Sequence, residues 1–141
     1  MTFPLPIVQG GITVFATGNV ITLSSNTADY NLRNDLVNNY SWDGTSAIDV
    51  TLNISSGVNV RATGTGTGAI TVNLVSGSNL TINNSGTIAG RGGAAGAGGG
   101  ANAAGTAGAS GGDAIDLANV TCVINNASGA TIAGGGGGGG G

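Results

Sequence analysis

The sequence has no histidine, and it contains no lysine and no glutamate; its charge sits on Arg33, Arg61, Arg91 and six aspartates, for a net charge of −3. Three scattered arginines cannot neutralise a phosphate backbone, so nucleic-acid binding by counterion release is excluded. Attachment to a membrane through a basic patch fails for the same reason. Without histidine, glutamate or lysine, most nucleophile–base pairs cannot be built either. Cys122 is the only cysteine, which rules out an internal disulfide. With no histidine to activate its thiolate, it reads as a small hydrophobe on a strand.

Aromatic residues are as scarce: two Phe, two Tyr and one Trp in 141 residues. A chain of this length can bury about two-thirds of its unfolded surface, but the apolar material is mostly Ala, Val, Ile and Leu. Thin, closely packed layers are the expected core. Met1-Thr-Phe-Pro-Leu-Pro lacks the basic and long apolar regions of a secretory signal. The sequence holds no run of 18 apolar residues with which to span a bilayer. The expected product is made in a cytoplasm and leaves it within an assembly or after lysis.

From Ile12 to Leu23, apolar residues alternate around Thr17-Gly18-Asn19, which predicts a β-hairpin. The period then changes. Leu32, Leu36, Val37 and Tyr40 fall on one helical face, with Asn26 or Thr27 as N-cap, Asp29 in the first turn and Asp29–Arg33 as an i, i+4 pair. Trp42-Asp43-Gly44 ends this short helix, with Trp42 as a lid on the core.

Beyond it the chain repeats itself. Ala47-Ile48-Asp49 returns as Ala69-Ile70-Thr71 and Ala114-Ile115-Asp116, at spacings of 22 and 45 residues. Short alternating strands lie between, among them Val50–Ile54, Val58–Val60, Ile70–Leu74 and Leu80–Ile82, punctuated by Ser-Gly turns. Ile82-Asn-Asn-Ser-Gly-Thr-Ile-Ala-Gly90 returns as Ile124-Asn-Asn-Ala-Ser-Gly-Ala-Thr-Ile-Ala-Gly134, and both copies run straight into glycine. Stacked short strands with tight corners, as in a β-helix or β-prism, produce this pattern. The predicted fold is mainly β with one short helix, followed by glycine-rich helices of the polyglycine II type. Three parts are expected: N-terminal strands or an attachment segment over 1–25, the helix and repetitive β region over 26–89, and a glycine-rich region over 90–141 with a β return at 113–133.

Twenty of the 30 glycines lie at or after Gly90. One reading is a flexible linker. The other is an array. Fixing one backbone residue costs about 1–2 kcal/mol, and a hydrogen bond returns about 1 kcal/mol net, so one isolated arm stays disordered. Threefold extended helices rise about 3.1 Å per residue without internal hydrogen bonds. With hydrogen as the side chain they can approach closely enough to bond one another. The near absence of charge after Gly90 favours the array.

Asp113 with Asp116, or Asp43 with Asp49, is the nearest approach to a glycosidase pair, and turn and cap roles explain all four. Gly111-Gly112-Asp113-Ala-Ile-Asp116-Leu117 offers too few oxygens for a calcium site. The glycine runs lack the lysine of a phosphate loop. No catalytic residue, metal site or cofactor is therefore assigned. The many asparagines are expected in turns and in side-chain ladders along stacked strands.

Three elements together carry a resemblance over about residues 20–141. They are Tyr30-Asn-Leu-Arg33 leading through the helix to Trp42-Asp43-Gly44, the Ile-Asn-Asn-x-Gly-Thr-Ile-Ala-Gly phrases, and the terminal glycine run. The chain resembles the glycine-rich adhesin domains of bacteriophage tail-tip and tail-fibre proteins. That resemblance implies a non-enzymatic virion protein that acts in host recognition, with a β-rich base and distal polyglycine helices. The implied partners are other tail-tip or fibre proteins and a bacterial surface protein or glycan. A homotrimer is expected, since edges this short favour burial between chains. Arg91, Asn102, Thr106 and Ser110 are the candidate receptor-binding residues. A purely structural fibre stalk and a fragment of a polysaccharide-degrading tailspike are the alternatives. The last glycine run is expected to be either a fragment's end or an arm completed by neighbouring chains.

Overall fold

A computed structural model describes residues 7–9, 12–14, 19–118 and 120–141. Two short strands, β1 (Ile7–Gln9) and β2 (Ile12–Val14), pair antiparallel. The strand that follows, β3 (Asn19–Leu23), does not fold back on β2 as the alternation predicted. It pairs parallel with β6 (Asp49–Ile54), Ile21 against Leu52. Ile21 is thereby buried beside Leu52, an arrangement a local hairpin does not provide. Of the turn expected there, Thr17 and Gly18 lie outside the described residues.

The remaining strands are β4 (Thr27–Ala28), β5 (Tyr30–Asn31), β7 (Asn59–Arg61), β8 (Ile70–Thr71), β9 (Asn79–Asn84), β10 (Thr87–Ala89), β11 (Ile115–Asp116), β12 (Thr121–Asn126) and β13 (Thr131–Ala133). They form three parallel sheets, ordered β12-β9-β6-β3, β13-β10-β7-β4 and β11-β8-β5. The chain thus visits the three sheets in the same order on each pass: β3-β4-β5, then β6-β7-β8, β9-β10-β11 and β12-β13. The fold is mainly β with a single short helix, as the sequence predicted.

The passes are 31, 30 and 42 residues apart on the sheet that holds β12, as Thr22–Asn53, Asn53–Asn83 and Asn83–Asn125 show. The longest interval contains the glycine segment after β10. The Ile-Asn-Asn phrase marks true equivalents, because Ile82 pairs with Ile124 and Ile88 with Ile132. The Ala-Ile trio does so only in part. Ile70 pairs with Ile115, but Ala47-Ile48 precedes β6, whose Asp49 pairs with Asn79.

The helix α1 (Leu32–Asn39) is shorter than predicted and starts later. Thr27–Ala28 and Tyr30–Asn31 are drawn into β4 and β5 by pairing with β7 and β8. Asn31 is the actual N-cap, its side chain accepting from the Asn34 amide at 2.9 Å. Asp29 sits outside the helix at positive φ, and its carboxylate accepts from the amide and hydroxyl of Thr63. Arg33 donates to the carbonyls of Gly44 and Asn73 and lies 5.3 Å from the centre of the Trp42 ring. Leu32 and Leu36 are buried, while Val37 faces solvent. Trp42 is packed against the core and donates to the Ser46 carbonyl, as expected of a lid.

The core is a set of aliphatic rows running across the passes, Ile21-Leu52-Ile82 and Val60-Ile88 among them, with Ile70, Val72, Leu32 and Leu36. Each fully buried aliphatic contributes about 1.5–3 kcal/mol relative to exposure. An asparagine ladder runs along the outside. Asn125 Nδ2 donates to Asn83 Oδ1 and Asn83 Nδ2 to Asn53 Oδ1, both at 2.8 Å. At the adjoining corner Asn84 is 1% exposed, and its amide nitrogen reaches Asn126 Oδ1 and the Thr131 carbonyl.

Candidate functional site

Glycine-rich backbone leaves the strands twice, at the equivalent ends of β10 and β13. It forms three extended segments, residues 90–99, 105–112 and 134–141. Their amide bonds recur at every third residue. The amides of Gly90, Gly93 and Gly96 donate to the carbonyls of Ala133, Gly136 and Gly139 at 2.8–2.9 Å. Those of Thr106, Ala109 and Gly112 donate back to Ala97, Ala94 and Arg91 at 2.7–2.9 Å. Those of Gly135, Gly138 and Gly141 donate to Gly112, Ala109 and Thr106 at 2.8–3.2 Å. The first segment therefore donates to the third, the third to the second and the second to the first. The first and third run parallel, and the second runs against both.

Such proximity leaves no room for a Cβ on the facing positions. One added at Gly93 would strike the Ala109 carbonyl, and one at Gly108 the Gly138 carbonyl. On outward positions the space is open: a Cβ at Gly98 or Gly136 meets nothing within 4 Å. Alanines occupy outward positions on the first two segments, among them Ala94, Ala97 and Ala109. The sequence carries this rule in Gly90, Gly93, Gly96 and Gly99, and again in Gly105, Gly108 and Gly111. Reading the glycines by abundance rather than by spacing missed it.

Residues 18–141 match the family model of the phage tail fibre adhesin Gp38. The chain belongs to the phage tail fibre adhesin Gp38 family. No curated protein and no solved structure matches it. A tail fibre adhesin is a virion component, and among the described residues no helix is long and apolar enough to cross a membrane.

On this adhesin the four residues singled out from sequence lie along the glycine segments without converging. Arg91 stands where the first segment leaves β10, its carbonyl accepting from Gly112 at 2.7 Å and its side chain exposed. Ser110 is exposed on the second segment, close to that base. Asn102 is exposed in the turn that joins the first two segments, closed by Ala103 donating to the Gly100 carbonyl at 3.2 Å. Thr106 is tied into the array, for its hydroxyl accepts from the Ala97 amide at 2.8 Å.

Three of the aspartates weighed as acid–base pairs, Asp43, Asp49 and Asp116, accept hydrogen bonds within the fold. Asp43 caps its turn, accepting from the Ser46 hydroxyl and from the amides of Ser46 and Thr45. The Ser46 bonds in particular hold its carboxyl down at about 2, the opposite direction from a general acid. Asp49 accepts from Asn79 Nδ2 at 2.8 Å, and Asp116 from the Ala118 amide at 3.2 Å. Among the described residues no three of His, Cys, Asp or Glu gather into a metal-binding group. Cys122 is half-buried on β12, and burial pushes its thiol up.

Proposed function

We propose that this chain is a host-receptor-binding, non-catalytic component of a phage tail fibre, in which stacked strands mount a stiff glycine tip. Its membership of the tail fibre adhesin family supports the recognition role. The observation that carries the mechanism is the cyclic bonding of the three glycine segments at every third residue. That period is the one polyglycine II helices have, and it supports reading the segments as such. In the same way, the repeated visiting of three parallel sheets supports a β-helical mount. At about 3.1 Å per residue the turn around Asn102 stands about 30 Å from the point where the first segment leaves β10. A cell-surface protein or glycan would meet small polar side chains and open carbonyls there, with Arg91 the cation at the base of the segments. Arg91, Asn102, Thr106 and Ser110 remain the proposed contacts. Residues 1–25 serve as the attachment side, 26–89 as the mount and 90–141 as the glycine-rich tip with a β return over 113–133 that rejoins the mount, carried on a homotrimer with other fibre proteins.

Whole-cell binding tests the reading. The purified protein is expected to label susceptible bacteria and to compete with virions for them. Correctly folded protein that labels no cells would identify a structural stalk instead.

A further inference from the structure

Three successive passes turn the corner from the sheet of β4, β7 and β10 to that of β5, β8 and β11, and each crosses it with more chain. Ala28 and Ala89 are both in register with Arg61, and Tyr30 and Ile115 with Ile70. The first pass therefore crosses on Asp29 alone and the second on residues 62–69. The third crosses on residues 90–114, which include the first two glycine segments. The second-pass loop, Ala-Thr-Gly-Thr-Gly-Thr-Gly-Ala, thus lies between Asp29 and the foot of the glycine array.

The loop is held from both sides. Asp29 accepts from the Thr63 amide at 2.8 Å and from the Thr63 hydroxyl. These bonds, with a lesser one from the Thr67 hydroxyl, lower its carboxyl. Asp29 does this at a φ of 48°, where a residue other than glycine is uncommon. A backbone held in such a conformation points to a task for its side chain. On the far side, a Cβ on Gly112 would stand 2.9 Å from Thr65 Cα and 3.2 Å from the Gly64 carbonyl oxygen. Among the described residues of the three segments, Gly112 alone is buried. It is also a junction, since its amide donates to Arg91 of the first segment and its carbonyl accepts from Gly135 of the third. The other segment glycines with a neighbour this close find it in another segment, in the turn or at Asp113, and none finds it in a strand. Glycine takes either sign of φ readily, so without a lateral stop the segments could swing about Gly90, Gly112 and Gly134.

We infer that Asp29 is a positioning residue for the glycine tip: its carboxylate holds the 62–69 loop, and the loop, seated against Gly112, fixes the direction in which the three segments leave the stack. The consequence for recognition rests on reading the tip as the receptor contact. A tip already held in its bound direction loses less freedom on binding.

Asp29→Gly isolates the carboxylate, because glycine accepts the positive φ. The test uses the full chain with spin labels at Asn38→Cys, exposed on α1, and Gly98→Cys, in open space on the first segment, in a Cys122→Ser background. A swing of about 10° moves the end of a tip about 30 Å long by about 5 Å. The parent should give one narrow label-to-label distance and Asp29→Gly a broad one, while the amides of β6 and β9 keep their exchange protection. Asp29→Asn keeps an acceptor for the Thr63 amide and should restore much of the narrow distance. The assignment is overturned if Asp29→Gly keeps the parent distance distribution, or if Asp29→Asn is as broad as Asp29→Gly. It is also overturned if β6 and β9 lose protection along with the broadening, since Asp29 would then only stabilise the stack. Neither measurement involves a receptor, so a folded protein that labels no cells would refute the recognition reading and leave this result standing.

Discussion

The strand passes and the glycine segments solve the same problem by opposite means. In the passes, side chains exclude water: rows of Ile, Leu and Val stack from strand to strand, and the backbone bonds follow. In the glycine segments there is no side-chain interior at all, and the backbones lie against one another directly. One region tolerates any residue of suitable volume and fails by cavity. The other tolerates almost nothing at one position in three and fails by collision. The comparison teaches that close, bonded packing does not require a hydrophobic core, provided every inward atom is a hydrogen.

The largest expected effect that breaks this symmetry belongs to the passes. Ile82→Ala removes a side chain buried between Leu52 and Ile124 and should cost about 2–5 kcal/mol, read as a fall in the denaturation midpoint. The same change at Ile124, 42% exposed on β12, should cost about 1 kcal/mol or less. Equal losses at the two positions would mean that the last pass is covered in solution.

The glycine segments should respond to position rather than to volume. Gly108→Ala puts a methyl group against the Gly138 carbonyl. Separation of the second and third segments there forfeits the bonds on either side, about 2 kcal/mol at about 1 kcal/mol each. The amides of Gly138 and Gly141, which donate to Ala109 and Thr106 on either side, should lose hydrogen-exchange protection while those of β9 keep theirs. Gly98→Ala, in open space, should change neither. A Gly108→Ala protein with full protection at Gly138 would refute the close-packed account.

Much of this contrast was legible before any coordinates. The Ile-Asn-Asn phrases named the equivalent passes correctly because a buried aliphatic and a ladder asparagine must both recur in phase. The Ala-Ile trio misled at Ala47-Ile48, since alanine followed by isoleucine suits any strand entry and carries no ladder residue. The helix start was misplaced for a related reason. Asn26 and Thr27 are good caps locally, but a partner strand some thirty residues later, β7, claims that backbone. Parallel pairing across passes leaves no local mark, and this also hid the true partner of β3. In the glycine region abundance drew attention while spacing held the information. Arg91, Asn102, Thr106 and Ser110 were chosen as the polar exceptions among Gly and Ala. The structure puts Asn102 at the turn and Thr106 into the array.

The smallest expected effect concerns acid. The segments are held by amide-to-amide bonds, which do not titrate, whereas the mount uses carboxylates as caps. Asp43 is held at about 2 by its Ser46 and Thr45 bonds, against an ordinary value of 3.8, and the Thr63 bonds also lower Asp29. A lowered carboxyl stabilises the fold above its unfolded value, and that contribution disappears as pH falls through the folded one. With no histidine to titrate, the melting temperature should stay flat from about pH 5 to 8 and decline only below about pH 4. Asp43→Asn should make the decline between pH 4 and 2 shallower. Exchange protection factors at Gly93, Gly96 and Gly138 should stay constant over the same range. If they fell in step with the mount, the two regions would unfold as one cooperative unit rather than as separate solutions.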